Sequence, residues 1–272
     1  MRRKRPEMPR IAAFGAHASG ARIGESAMLV TGEVPHMNEL ELTGRARTHI
    51  VELEVPRCAL HYAVVTSFLA MRDAAVAADI DLAAASSFRD FARQELLWNR
   101  KWRGERPLYD RRGRVIDPAT LDDAARVDAI LCWSAIPGGS RHHWGSDVDV
   151  IDQAALPQGY QVQLVPEEYA RGGIFERLTE WLDRNMGRFG FYRPYATEGS
   201  GAGVEPWHLS YHPVARLALE ALTLPVLKRA VAGSGLLGKE CILERLPEIY
   251  TRFVLEVAEP EPTALRAVIR QA

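Results

Sequence analysis

One segment, SRHHWGSDVDVID at residues 140–152, restricts the fold more than any other stretch of the sequence. Its second half alternates acidic and apolar residues, with Val148 and Val150 on one face and Asp147 and Asp149 on the other. Strict alternation of this kind is typical of a β-strand. The sequence therefore predicts a strand that presents two carboxylates on the same side.

Helical patterns lie on both sides of this strand. From Pro56 onward, apolar residues recur at spacings of three and four and predict one buried helical face: Leu60, Val64, Phe68, Met71 and Ala75. Further helices are predicted at residues 90–102, from Asp122 to about Trp133, at residues 172–187 and after Pro213. Short strands are predicted at residues 80–87, 189–192 and 204–211, and a charged loop at residues 103–121. Helices, a small sheet and further helices in this order predict an α+β fold.

The composition excludes several classes of protein. The chain of 272 residues has 34 Lys and Arg against 35 Asp and Glu, whereas a nucleic-acid-binding protein needs an excess of clustered cations. No stretch approaches the roughly 18 apolar residues of a membrane-spanning helix. Three cysteines without a C-x-x-C pair provide neither a disulfide framework nor a thiolate metal site. The sequence is that of a globular protein with one large or two small domains.

The first 50 residues show no sustained periodicity and are predicted to form a lead-in segment. They begin with the basic run MRRKRPEMPR, which the apolar stretch IAAFGA follows. This stretch is short for the apolar core of a secretory signal, which spans about 7–15 residues. A cytoplasmic location is therefore the default expectation.

Two short segments provide residues suited to a catalytic metal. The strand segment contains His142 and Asp149, and the downstream segment Glu205-Pro-Trp-His208 adds an imidazole and a carboxylate. Zinc in hydrolases takes three N or O ligands and leaves one position open, with a general base nearby. His142, Asp149 and His208 would provide the ligands, and Glu205 the base. Spacing also leaves Asp147 open as a ligand, because it faces the same side of the strand as Asp149.

The spacing of these residues resembles that of a known enzyme family. The pattern Ser-x-His-x-x-Gly-x-x-x-Asp from Ser140, followed by Glu-x-x-His from Glu205, resembles the zinc D-alanyl-D-alanine carboxypeptidases of the VanY and VanX type, the M15 peptidases. Upstream, Ser87-Phe88-Arg89 with Gln94 five residues further on is similar to the Tyr/Phe-Arg motif of that family. The three motifs stand in the family order and cover about residues 80–212.

The resemblance implies a compact α+β domain in which a small antiparallel sheet carries the metal and helices flank it. Residues 51–212 would form this catalytic domain. The lead-in at residues 1–50 would precede it, and a C-terminal helical extension at residues 213–272 would pack on it.

The resemblance also implies a role for each candidate residue. His142, Asp149 and His208 correspond to the zinc ligands, Glu205 to the catalytic carboxylate, and Arg89 to an arginine that binds substrate and stabilises developing negative charge. Ser140 and Gln94 are expected to contact substrate, although a turn cap and an ordinary helix position stay open for them. Asp147 departs from the Ala of much of the family, and we expect it to orient a ligand histidine or to pair with a cation. His143 is not expected to bind the metal, because neighbouring strand residues face opposite ways.

The predicted function is zinc-dependent hydrolysis of the terminal D-amino acid of peptidoglycan-derived peptides, either a stem peptide or the D-Ala-D-Ala dipeptide. L,D-carboxypeptidase or endopeptidase activity on muropeptides stays open, as does a zinc-stabilised module that binds cell-wall peptide without cleaving it. Glu205 argues against the binding module, since binding alone needs no general base. The resemblance implies a location at the cell envelope, in contrast to the expectation from the N-terminus. The oligomeric state is left open by the sequence.

Overall fold

The computed structural model describes residues 36–197 and 201–260, so the predictions for residues 1–35 and 261–272 lie outside the described residues. The strands are β1 (Ile50–Glu54), β2 (Arg57–His61), β3 (Leu82–Ser86), β4 (Leu108–Tyr109), β5 (Val115–Ile116), β6 (Asp147–Asp152), β7 (Phe191–Tyr192) and β8 (His208–Tyr211). The helices are α1 (Glu39–Leu42), α2 (Tyr62–Val76), α3 (Phe91–Trp102), α4 (Asp123–Leu131), α5 (Pro166–Tyr169), α6 (Glu176–Asn185), α7 (His212–Ala221), α8 (Leu224–Ala232), α9 (Lys239–Glu244) and α10 (Leu246–Ile249).

A four-stranded antiparallel sheet with the order β3-β6-β8-β7 forms the centre of the fold. Strand β6 lies in its middle, and the side chains of Val148 and Val150 are fully buried in the apolar core. The register places Asp149 of β6 directly opposite His208 of β8. Residues opposite each other in an antiparallel pair have Cβ atoms about 4.5–5.5 Å apart, so these two side chains are neighbours. The small antiparallel sheet and the predicted α+β fold are confirmed.

The predicted helix from Pro56 is corrected at its start. Residues 50–61 form an antiparallel hairpin of β1 and β2, and α2 begins only at Tyr62. The side chain of His61 caps this helix, with Nδ1 accepting a hydrogen bond of 3.1 Å from the main-chain N–H of Ala63. Leu60 is buried on β2 and happens to stand in phase with the buried face of α2. Because of this coincidence, the predicted helix wrongly included the residues of β2.

The predicted helices at residues 90–102 and from Asp122 are confirmed as α3 and α4, and an aspartate caps the start of each. Asp90 accepts a hydrogen bond from the main-chain N–H of Arg93 at the start of α3. Asp122 accepts one from Ala125 at the start of α4. An N-cap carboxylate satisfies an amide that has no partner within the helix. The predicted loop between them, residues 103–121, contains the short hairpin of β4 and β5 and a 3₁₀ turn.

The C-terminal helices share the apolar core of the sheet domain. Leu227 of α8, Ile242 of α9 and Ile249 of α10 are fully buried in one continuous cluster with the residues of β6 and α2. A π-helical segment, Tyr250–Leu255, follows α10. The domain boundaries at residues 50 and 212 stay a prediction. Within residues 36–197 and 201–260, none of the helices has the length and apolar character that a membrane crossing requires.

Candidate metal centre and active site

Three predicted ligands come together in a buried cluster. His142 from a 3₁₀ turn, Asp149 from β6 and His208 from β8 each offer one ligand atom, and these atoms all lie within 4.8 Å of one another. Nε2 of His142 lies 3.4 Å from Oδ2 of Asp149, and Nδ1 of His208 lies 3.5 Å from Oδ1. The fold therefore brings two imidazoles and one carboxylate to a single point.

Hydrogen bonds on the far side of each ring determine which nitrogen faces this point. Nδ1 of His142 donates to the main-chain oxygen of Ser87 at 2.9 Å, which leaves Nε2 for a metal. Nε2 of His208 donates to Oδ2 of Asp147 at 2.9 Å, which leaves Nδ1. Ligand histidines commonly donate their other N–H in this way, and the bond sets both the tautomer and the ring orientation.

The carboxylate of Asp149 tests whether a cation fits this cluster. Its Oδ1 is buried and has no hydrogen-bond partner among the described residues. Burial by itself raises the pKa of Asp149, but His142 and His208 outweigh this effect and hold the pKa at about 2. An ionised oxygen without a partner is costly in a buried place, and a bound cation would satisfy it. Two imidazole nitrogens and a carboxylate are a ligand set that catalytic zinc uses, so the residues fit this metal.

Glu205 lies beside the ligand cluster. Its Oε2 is 3.0 Å from Nδ1 of His208, the nitrogen that faces the metal position. The main chain holds this carboxylate in place, because the N–H of Glu205 donates to Tyr195 and its carbonyl accepts from the N–H of His208. The side chain is 15% exposed and lines the cavity beside the ligands. A carboxylate in this position can exchange protons with water or substrate at the metal.

Arg89 lines the same cavity and is held by two side chains. Its Nη1 donates to Oε1 of Gln94 at 2.9 Å, and its Nη2 donates to Oγ of Ser86 at 2.8 Å. Burial lowers the pKa of Arg89, and the nearby carboxylates of Asp149 and Glu205 partly offset this effect. The guanidinium stays charged, because an arginine pKa lies far above neutrality. A fixed cation therefore lies close to the metal position.

The expectation that Gln94 contacts substrate is corrected. Gln94 is fully buried beneath Arg89, and its Nε2 donates to the main-chain oxygen of Ala135 at 2.7 Å. Both ends of the amide are thus engaged by protein groups. Gln94 positions Arg89, and it is not among the residues that line the cavity.

Asp147 lies at the centre of a buried polar network. Oδ2 accepts hydrogen bonds from Nε of Arg141 at 2.8 Å and from His208, and Oδ1 accepts from the hydroxyls of Ser146 and Ser210. Burial by itself raises the pKa of Asp147, but the charge of Arg141 and the bond from His208 hold the pKa below its usual range. Asp147 thus orients a predicted ligand histidine and pairs with a cation at once. Arg141 was not predicted as a site residue, because its only signal in the sequence is its place next to His142.

His143 is engaged at both nitrogens, which leaves neither for a metal. Nδ1 donates to the main-chain oxygen of Arg89 at 2.6 Å, and Nε2 accepts from the N–H of Gly138 at 3.0 Å. Burial lowers the pKa of His143 to about 3, so the ring is neutral. The expected exclusion of His143 agrees with this geometry, but the reason is corrected. The residue lies in a 3₁₀ turn and not in a strand.

A cavity of about 1020 Å³ is lined by the three cluster residues and by Glu205, Arg89 and Ser140. Ser140 lines it, and among the described residues its side chain makes no capping hydrogen bond to the turn that follows. Trp207 forms part of the wall, whereas Trp144 lies in the core. Gly145 has a φ of +65°, and a Cβ there would lie 2.6 Å from the main-chain nitrogen of His61. This close approach requires glycine at the end of the His142 turn.

Comparisons with known proteins show which family the sequence matches. Residues 57–214 match the sequence model of the VanY family, described as D-alanyl-D-alanine carboxypeptidase. An uncharacterized protein of Haemophilus influenzae is 39% identical over 122 residues, which are 44% of this chain and 93% of that protein. A D-alanyl-D-alanine carboxypeptidase of Enterococcus faecalis is 35% identical over 82 residues, which are 29% of this chain and 25% of that protein. The solved structure of VanYB in complex with D-alanine-D-alanine has a TM-score of 0.43 and 24% identity, over 71% of this chain and 87% of that one.

Proposed function

Because the chain belongs to the VanY family of D-alanyl-D-alanine carboxypeptidases, we propose that it is a zinc-dependent carboxypeptidase of peptidoglycan-derived peptides. The observation that carries this proposal is the convergence of His142, Asp149 and His208 beside Glu205 in one cavity. Ligands without a base would suit a structural metal, whereas ligands with an adjacent carboxylate suit hydrolysis.

Nε2 of His142, Nδ1 of His208 and the carboxylate of Asp149 would hold the zinc ion. When bound, zinc supplies a Lewis acid that lowers the pKa of water to about 7 and polarises a peptide carbonyl. The bonds from His142 to Ser87 and from His208 to Asp147 orient both rings, so that the other nitrogen of each ring faces the metal position and would bind zinc in its deprotonated form.

Glu205 acts as the general base and then as the general acid. Its carboxylate takes a proton from the attacking water, whose oxygen forms a bond to the carbonyl carbon of the terminal peptide bond. The bond from that carbon to the leaving nitrogen then breaks, and Glu205 returns the proton to the amine. One water is consumed, and the products are a shortened peptide and a free D-amino acid.

Arg89 binds negative charge on the substrate. Its guanidinium is held by Gln94 and Ser86 and can donate to a carboxylate or to the oxyanion that forms during attack. Because both supporting bonds are already made, little side-chain entropy is lost when substrate binds. Ser140 on the same wall offers a hydroxyl to the peptide.

The size of the cavity supports a peptide substrate longer than a dipeptide. Its volume of about 1020 Å³ slightly exceeds the range of about 300–1,000 Å³ that is typical of sites for drug-sized ligands. We therefore expect faster cleavage of a stem pentapeptide than of the D-Ala-D-Ala dipeptide. Release from a tetrapeptide and not from a pentapeptide would indicate L,D-carboxypeptidase activity instead.

The test follows D-Ala release from dipeptide, tetrapeptide and pentapeptide, together with the zinc content of the protein. Glu205→Gln keeps the shape of the side chain but cannot accept a proton as a carboxylate does. We expect zinc content and folding to stay near wild type, while turnover falls by about a hundredfold or more. Glu167→Gln is the matched control, because Glu167 lines the same cavity but lies outside the ligand cluster.

Two results would contradict the proposal in different ways. If Glu205→Gln releases D-Ala as fast as wild type, Glu205 is not the general base. If zinc-loaded wild-type protein releases nothing from any of the three peptides, a module that binds cell-wall peptide becomes the better explanation.

A further inference from the structure

Four cationic side chains from the end of α3 and the segment that follows it line the cavity, and we name them the cationic wall: Lys101, Arg106, Arg111 and Arg112. Lys101 lies in the last turn of α3, and Arg106 follows this helix. The other two lie in the turn between β4 and β5. The proposed mechanism uses none of them.

Among the described residues, the cationic wall has no carboxylate partners of its own. In the parts of the chain that the structure describes, none of its four side chains forms an ion pair. Other arginines of the same region do: Arg100 and Arg103 pair with Glu105, and Arg114 pairs with Asp110. Glu105 and Asp110 therefore pair with arginines outside the cavity. Among the described residues, no carboxylate forms an ion pair with the four cations that line it.

Lys101 is the most buried member of the cationic wall. Its ammonium makes one long hydrogen bond of 3.4 Å, to the main-chain oxygen of Trp133. Burial lowers the pKa of Lys101 to about 8, although the charge of Glu205 opposes this effect. A partly buried cation with unused donors is unfavourable next to other cations, and an anionic ligand would offset that cost.

The described carboxylates that line the cavity do not pair with the cationic wall. Asp149 and Glu205 belong to the metal centre, and Glu167 lies on the separate segment of residues 163–167. We propose that the cationic wall is a second anion-binding subsite, which binds a substrate carboxylate other than the group bound by Arg89. The substrate class is thus a peptide with an additional carboxylate near the cleaved bond. This inference rests on the proposed peptidase function.

Two pairs of synthetic peptides test the subsite. N-acetyl-L-Glu-D-Ala-D-Ala is compared with its L-Gln counterpart, and N-acetyl-L-Ala-D-Ala-D-Glu with its D-Gln counterpart. Each pair differs by one charge at nearly constant shape, and the two pairs place the carboxylate on opposite sides of the cleaved bond. We expect kcat/KM to be about tenfold higher for the anionic member of one pair, with the effect mainly in KM. The preference should shrink as salt is raised.

Variants assign the preference to the cationic wall. Lys101→Gln should abolish it, and Arg106→Gln, an exposed position that tolerates change, should reduce it by about threefold. Lys239→Gln is the matched control, because Lys239 also binds a main-chain oxygen, that of Ser234, but does not line the cavity. This control should keep the full preference.

Equal kcat/KM within both pairs would overturn the inference, as would a preference that survives unchanged in both cavity variants. If no peptide is cleaved at all, the proposed function fails, and the subsite is then tested by binding. Calorimetric titration of the same four peptides into the Glu205→Gln protein measures the charge preference without turnover. Equal affinities within both pairs would then reject the subsite.

Discussion

Replacing Asp147 by Asn removes one charge from the buried network and almost nothing else. The oxygen of Asn can occupy the place of Oδ2, which accepts from Arg141 and His208. Its amide nitrogen then lies where Oδ1 accepts from the hydroxyls of Ser146 and Ser210, and a hydroxyl can rotate to accept instead. The substitution therefore isolates the electrostatic contribution of the carboxylate.

The magnitude follows from the burial of the pair. The side chain of Asp147 is 0% exposed and that of Arg141 is 3% exposed. Loss of one partner of a buried pair leaves the other charge uncompensated and costs about 3–5 kcal/mol. The free energy of unfolding of a domain is typically about 5–15 kcal/mol, so Asp147→Asn should lose a large share of it. Zinc affinity should also fall, by about ten- to a hundredfold, because His208 loses its carboxylate partner.

The assay is urea unfolding of the metal-free protein at pH 7, followed by tryptophan fluorescence. Asp81→Asn is the matched control, because Asp81 pairs with Arg72 at 2.9 Å while the two side chains are 39% and 24% exposed. An exposed pair contributes up to about 1 kcal/mol, so this control should lose little. Zinc affinity is measured separately by competition with a chelator.

The pH dependence gives a further check on the same pair. Because the folded-state pKa of Asp147 is lowered, its contribution is present above the unfolded pKa of about 3.9 and disappears as the pH falls through the folded value. The difference between wild type and Asp147→Asn should be largest near pH 5 to 6 and shrink in acid. It should also shrink above about pH 6.5, because the bond to Asp147 raises the pKa of His208 and the stability from that protonated ring is lost as the pH rises. If Asp147→Asn loses no more stability than Asp81→Asn at pH 7, the reasoning about the buried pair is refuted.

Two other predictions concern the metal-free centre and the cavity wall. Burial lowers the pKa of His208, but hydrogen bonds to Asp147 and Glu205 raise it to about 10, so zinc binding at pH 7 should release about one proton. Calorimetry in two buffers of different ionisation enthalpy measures this release, and a value of zero would contradict it. Glu168 accepts a hydrogen bond from the N–H of Leu164, whose φ is +53°, so Glu168→Gln should loosen residues 163–167 of the wall. We expect faster hydrogen exchange there and a higher KM, and unchanged exchange would argue against this role.

The sequence by itself predicted the residues that the fold brings together in the candidate metal site. Alternation over residues 147–152 predicted β6, and the Glu-x-x-His pattern placed Glu205 next to His208. These signals are local, because the direction of a side chain along a strand or turn depends on nearby backbone. The aspartate caps of α3 and α4 are local for the same reason.

Only the tertiary structure decided what each of those residues does. Asp147 and Asp149 are equivalent in the strand pattern, yet one contacts Nε2 of His208 and the other faces Nδ1. The two aspartates differ in the groups that the fold places next to them. Asp147 and His208 are 61 residues apart in the sequence, and Arg141 pairs with Asp147 and not with Asp149. The periodicity of a sequence determines the face of the strand on which a side chain lies, but not which residues the fold packs against that side chain. For the same reason, the sequence contained the arginines and lysine of the cationic wall without showing that they face one cavity.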